Sequence, residues 1–186
     1  MAFLAKHGSV SHVVGVEGIK QALQEFSDEN PTLNVKEEPA GTVPSYDKFS
    51  GSDITLLKGD FFGLDETHTG GRFDAVWDRA SLVAIDPTLR EDYVGIMKKL
   101  VKPGGSLLVS TLERRQGTEE AKKAGPPFSV PEAEVRRLYE GQDWVESVTL
   151  LEEIDEFDAN PKGMEGWKQM GITSFFELMF IIKTKA

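Results

Sequence analysis

The stretch Phe73-Asp74-Ala75-Val76-Trp77-Asp78-Arg79-Ala80-Ser81-Leu82-Val83-Ala84-Ile85-Asp86-Pro87 decides the architecture. After a Gly70-Gly71 turn, Phe73 to Trp77 reads as an apolar strand, and Asp78-Arg79 follows at its end. Arginine is rarely left inside a protein unpaired, so the strand leaves the core where it meets Arg79. The partner of Arg79 is then either Asp78, a purely structural pairing, or an anionic ligand. Asp86-Pro87 supplies an N-cap and a first-turn proline. The helix beyond it sets Tyr93, Ile96, Met97 and Leu100 on one face.

Upstream, the run His12-Val13-Val14-Gly15-Val16-Glu17 is short and apolar and ends in an acid, as a buried strand does. Ile19, Ala22, Leu23 and Phe26 recur at helical spacing directly after it, and Pro31 closes that unit. Thr32 to Gly51 is polar and carries Pro39 and Pro44, which predicts a surface excursion or hairpin. Ile54 to Lys58 is a second strand and leads into Gly59-Asp60-Phe61-Phe62.

Downstream, Lys102-Pro103-Gly104-Gly105 predicts a turn and Ser106 to Ser110 the next strand. Ser129 and Glu132 have capping-box spacing, which starts a helix through Leu138 and Tyr139. Two strand-like segments, Trp144 to Leu151 and Phe175 to Ile182, end the chain as an antiparallel hairpin with no helix between them. Alternating strands and helices predict an α/β fold, a mainly parallel sheet covered on both faces. With neither repeat nor linker, residues 1–186 read as a single domain.

Composition narrows the function. At 186 residues, 39% hydrophobic and 28% charged, the chain suits one globular domain with a substantial core. No apolar run reaches the roughly 18–20 residues of a membrane span, and the N-terminal residues are too weakly apolar for a secretory signal. The absence of cysteine excludes disulfides, a thiol nucleophile and thiolate metal sites, and fits a cytoplasmic location. A net charge of −10 opposes a nucleic-acid partner. His7, His12 and His68 lack metal-ligand spacing and read as solvated or capping residues, so no metal is expected.

Ligands of open α/β sheets bind beyond the carboxyl ends of the strands. Three such ends carry polar groups: Glu17, Asp60 and Asp78-Arg79. Glu17 suits a ribose diol or, equally, a solvated strand end. Asp60 with Phe61 and Phe62 reads as an adenine slot or as a turn aspartate before core aromatics. Gly125-Pro126-Pro127-Phe128 is a stiff loop with an apolar face, which either walls a pocket or positions the next helix.

The run from Phe73 to Pro87, together with Val13-Val14-Gly15-Val16-Glu17 and Gly125-Pro126-Pro127-Phe128-Ser129-Val130-Pro131, resembles thiopurine S-methyltransferases. The resemblance covers the chain from about residue 2 to its end, with three blocks in register. It implies a Rossmann-like class I methyltransferase fold and S-adenosyl-L-methionine as cofactor. By position, Glu17 holds the ribose and Asp60 with Phe61 borders the adenine; Asp78 is set with this cofactor group. Arg79 faces the sulfur acceptor, Pro126, Pro127 and Phe128 line its pocket, and Lys168 is the second basic candidate. The implied reaction is methyl transfer to the sulfur of a small thiol or thiopurine by a monomer acting on a small-molecule substrate. Alignment and desolvation carry most of the rate.

The resemblance also implies a first strand and a glycine-bearing loop ahead of the region where this chain starts. The segment from Met1 to Gly8 would correspond to the end of the helix after that loop, so an N-terminally incomplete domain is expected. In the family's order that strand is central, between Val13–Val16 and Phe73–Trp77. Its absence leaves orphan backbone groups at about 1–3 kcal/mol each, a heavy cost against a net stability of roughly 5–15 kcal/mol. The alternative function is a catalytically inactive, truncated methyltransferase-like protein that acts as a binding or regulatory partner. A nicotinamide oxidoreductase lacks its glycine fingerprint here.

Overall fold

The structure, a computed structural model, describes residues 1–6 and 10–186. His7 lies outside the described residues. The chain forms two compact units, Met1–Gly71 and Arg72–Ala186.

In the first unit a short helix α1 (Ala2–Lys6) precedes β1 (Val13–Glu17) and α2 (Lys20–Glu29). The excursion is the expected hairpin: β2 (Lys36–Glu37) pairs antiparallel with β3 (Asp47–Gly51), which pairs in turn with β4 (Ile54–Lys58). A single turn of helix, α3 (Glu66–Thr69), closes the unit, capped by Asp65 through Thr67 and His68. The sheet order is β1-β4-β3-β2, with β1 and β4 parallel. Val13, Leu23, Leu33, Phe49, Ile54 and Leu56 form its core. Burying side chains of this size stabilises by about 1.5–3 kcal/mol each, which binds α2 to a sheet too small to stand alone.

The second unit runs β5 (Phe73–Arg79), α4 (Ser81–Ala84), α5 (Arg90–Leu100), β6 (Val101–Gly117), α6 (Glu119–Lys123) and α7 (Glu132–Tyr139), then β7 (Val145–Asp155), α8 (Glu156–Ala159), α9 (Glu165–Gln169) and β8 (Ile172–Thr184). Its order is β5-β6-β8-β7; β5 and β6 are parallel and the other two pairs antiparallel. The closing antiparallel pair matches expectation, except that α8 and α9 stand between its strands. Both sheets are mixed: the β2–β3 excursion adds antiparallel pairs beside β4 in the first, and β8 and β7 add them beside β6 in the second. Among the described residues β1 pairs only with β4, and β5 only with β6.

The predicted turn at Lys102–Gly105 is a detour inside β6: Phe73 faces Val101 while Ala75 faces Ser106. Tyr93, Ile96, Met97 and Leu100 are all buried, as the helical spacing requires. The capping box predicted at Ser129 is not formed. Pro131 is the N-cap of α7 and makes no side-chain cap. The Ser129 hydroxyl instead accepts from the Arg114 backbone N–H at 3.0 Å, a long-range partner that local spacing does not reveal.

Candidate active site

Successive residues of a strand point to opposite faces, and in β5 this separates Asp78 from Arg79. On one face of the second sheet Leu107, Val109, Leu178, Phe180 and Ile182 are sealed from solvent. Asp78 lies on this face, 2% exposed. Its carboxylate accepts from the Tyr93 hydroxyl at 2.8 Å and from the Ser81 N–H at 2.8 Å. Burial holds the Asp78 carboxyl above the usual carboxylate range, opposed by these donors. Asp78 therefore ties β5 to α4 and α5, and its carboxylate is not presented at the strand end as the cofactor assignment supposed.

The opposite face carries chemistry. Arg79 lies beside Ser110 in register, and Leu112 faces Glu177 across β6 and β8. Arg79, Ala80, Ser110, Leu112, Phe175 and Glu177 line an open cavity of about 420 Å³, and Glu156, Met164 and Trp167 from the α8–α9 segment complete its lining. That volume suits a small ligand. Among the described residues Arg79 has no carboxylate or hydrogen-bond partner, so the alternative of a structural pair with Asp78 is excluded by strand geometry. Glu177 is half-buried, and its Oε1 accepts from the Ser110 hydroxyl at 2.6 Å. Ala80 takes a left-handed conformation, φ 62°, which turns the chain from β5 into α4.

Arg114, on the same face as Ser110 and Leu112, escaped the sequence reading. It is 5% exposed and donates to the carbonyls of Ala121, Ala124 and Pro127. Its guanidinium also lies 5.3 Å from the Trp167 ring centroid. Desolvation lowers its pKa. The only available signal was an arginine inside an otherwise apolar strand, and Glu113 and Arg115 beside it mask that signal.

Pro126, Pro127 and Phe128 do not line this cavity. The Phe128 N–H donates to the Val83 carbonyl and Arg114 grips Pro127, so the loop is fixed from behind. Lys168 is also outside the lining. The helical step of about 100° per residue turns it away from the face of Trp167, and its ammonium sits 5.1 Å from the Phe157 ring.

In the first unit, Glu17 and Lys58 end adjacent parallel strands in register, and the Gly59 N–H donates to the Glu17 carbonyl at 3.0 Å. Asp60 follows one residue later. A Cβ on Gly59 would stand 2.3 Å from the Tyr46 ring, so this turn requires glycine. Glu17 Oε1 accepts from the Ile19 N–H, and Asp60 Oδ1 from the Phe62 N–H. One oxygen of each carboxylate remains without a partner among the described residues. The Phe61 and Phe62 rings meet edge to face, centroids 5.9 Å apart. Two carboxylates and an aromatic at neighbouring strand ends fit a nucleoside: acceptors for a diol or amine, and a ring face for a base.

An α/β chain with such strand ends and an arginine-bearing cavity has the fold of the S-adenosylmethionine-dependent methyltransferases. The solved N-methyltransferase NodS from Bradyrhizobium japonicum, in complex with S-adenosyl-L-homocysteine, aligns with all of this chain and 73% of its own, at TM-score 0.59 and 13% identity. The [4+2]-cyclase SpnF aligns over 99% of this chain and 69% of its own, at TM-score 0.60 and 13% identity. The family model for thiopurine S-methyltransferase matches residues 1–185, and the chain belongs to that family. Thiopurine S-methyltransferase of Oryctolagus cuniculus is 34% identical over 93% of this chain, which spans 65% of that protein's length. The Pseudomonas paraeruginosa enzyme of the same name is 33% identical over 98% of this chain and 76% of its own.

Proposed function

We propose that this protein transfers a methyl group from S-adenosyl-L-methionine to the sulfur of a small thiol or thiopurine. The observation that carries the reading is Arg79: a cation without a partner among the described residues, in a cavity walled by Trp167, Phe175, Met164 and Leu112. A cation facing the acceptor favours the ionised form of its sulfur and stabilises the charge that builds there. The aromatic walls suit a flat ring. Membership in a family whose named relatives are thiopurine S-methyltransferases supports the same chemistry.

When bound, the cofactor supplies an electrophilic methyl on a sulfonium. Glu17 would take its ribose hydroxyls and Asp60 with Phe61 its adenine; Asp78, committed to Tyr93 and Ser81, is withdrawn from that set. No helix among the described residues is long and apolar enough to cross a membrane, and the candidate cavity is of small-molecule size.

The test is calorimetric titration of the 186-residue chain with S-adenosyl-L-homocysteine, followed by methyl transfer to an aromatic thiol. Binding that Glu17→Ala weakens, and thioether product, are expected. A folded chain that binds no S-adenosyl-L-homocysteine rejects the reading.

A further inference from the structure

Two carboxylates line the cavity, Glu156 and Glu177, and they are not equivalent. Glu156 opens the single-turn helix α8 and makes no side-chain hydrogen bond among the described residues. Glu177 stands in the middle of β8, beside the buried Leu178 and two residues from the buried Phe175. Its Oε1 is fixed by Ser110, a hydroxyl only 1% exposed. Its Oε2 has no partner among the described residues. An oriented carboxylate with a free oxygen, on a rigid strand, is built to accept a hydrogen bond from whatever fills the cavity.

We infer that Glu177 accepts the N–H of a heterocyclic thione whose sulfur faces Arg79, and takes that proton as the sulfur is methylated. This deepens the proposed function and rests on it. A cyclic thioamide presents sulfur and N–H on adjacent atoms, matching a cation and a carboxylate that share one cavity. A sulfur lone pair of the acceptor forms the new S–CH3 bond while the C–S bond to the sulfonium donor breaks, and that electron pair leaves on the donor, now a thioether. The acceptor, momentarily a cation, gives its N–H proton to Glu177 Oε2 and becomes a neutral S-methyl heterocycle. Glu177 returns the proton to solvent. Without an acceptor for that proton the product would carry a positive charge beside Arg79.

The experiment compares pyridine-2-thione with its N-methyl derivative, which keeps the sulfur and lacks the N–H, in calorimetric binding to the purified chain and to Glu177→Gln. The native chain should bind the N–H thione about tenfold more tightly, the scale of one hydrogen bond to a charged group, and Glu177→Gln should abolish that preference. In turnover, Glu177→Gln should slow the N–H thione about a hundredfold, as general-base removal does, and slow the N-methyl thione, which has no proton to give, far less. Equal binding of the two thiones by the native chain overturns the inference without need of a variant. So does failure to bind either, and so does a preference that survives in Glu177→Gln, which would be steric. Titration with S-adenosyl-L-homocysteine separates the two readings. A chain that binds it but shows no N–H preference loses the Glu177 role and keeps methyl transfer. A chain with the preference but no such binding loses methyl transfer, and with it the proton step.

Discussion

The guanidinium of Arg114 lies 5.3 Å from the centre of the Trp167 ring, while its N–H groups hold the carbonyls of Ala121, Ala124 and Pro127. One buried side chain thus joins the Gly125–Phe128 loop to an aromatic wall of the candidate cavity. A cation within about 6 Å of an indole face is attracted to it, more so when desolvated. Glycine at position 125 permits the close turn beneath, since a Cβ there would sit 2.2 Å from the Phe128 ring.

Arg114→Met should therefore cost about 3 kcal/mol in urea unfolding, because it strips a charged donor from three buried or half-buried carbonyls. Arg114→Lys should recover less than half of that loss, since an ammonium lacks the planar fork that reaches all three. A loss below about 1 kcal/mol for Arg114→Met would show that the loop is fixed by Phe128 alone.

Arg79→Ala should leave stability within about 0.5 kcal/mol of native, as expected for an exposed side chain without a structural partner. It should weaken binding of an aromatic thiolate about tenfold, the scale of a charge-assisted contact, with affinity for S-adenosyl-L-homocysteine unaltered. Equal losses for both ligands would mark Arg79 as structural.

Asp78 makes a prediction about pH. Its carboxyl is raised above the ordinary 3.8 by burial. A group raised on folding binds more protons in the folded than in the unfolded chain. The stability it contributes is complete below the ordinary value and is lost as pH rises through the raised one. Asp78→Asn stays neutral and still accepts from Ser81, so its stability relative to native should improve as pH rises above the ordinary 3.8 towards the raised value. Urea midpoints that differ by a constant across this range would reject the assignment.

Ala80→Gly should stabilise the chain by about 1 kcal/mol, the cost of a Cβ in the left-handed region less the added freedom of glycine when unfolded. Thermal unfolding reads this directly. A lower melting temperature would mean that the Ala80 methyl, at the cavity lining, packs well enough to outweigh its strain.

Much of the fold was legible because its signals are local. Val13 to Glu17 and Ile54 to Lys58 are unbroken apolar runs, and Tyr93, Ile96, Met97 and Leu100 carry the helical period. The polar, proline-bearing excursion before Gly51 announced its own hairpin. Where partners are distant, local spacing misled. The spacing of Ser129 and Glu132 predicts a local cap, but the Ser129 hydroxyl serves Arg114 on β6. Lys168 is the basic residue near the final strand that the resemblance implies, yet one step along α9 separates it from the cavity that Trp167 enters.

By itself the sequence determined the α/β class, the family, and three strand ends where polar groups meet apolar runs. These depend on periodicity and on residue types within a few positions of one another. Only the tertiary structure decided which of those groups face a ligand. The pleat sends Asp78 inward to Tyr93 and Arg79 outward to the cavity, although the two are adjacent in the chain. The antiparallel register of β6 and β8 brings Ser110 to Glu177 across 67 positions, a pairing set by sheet geometry that chain distance does not encode.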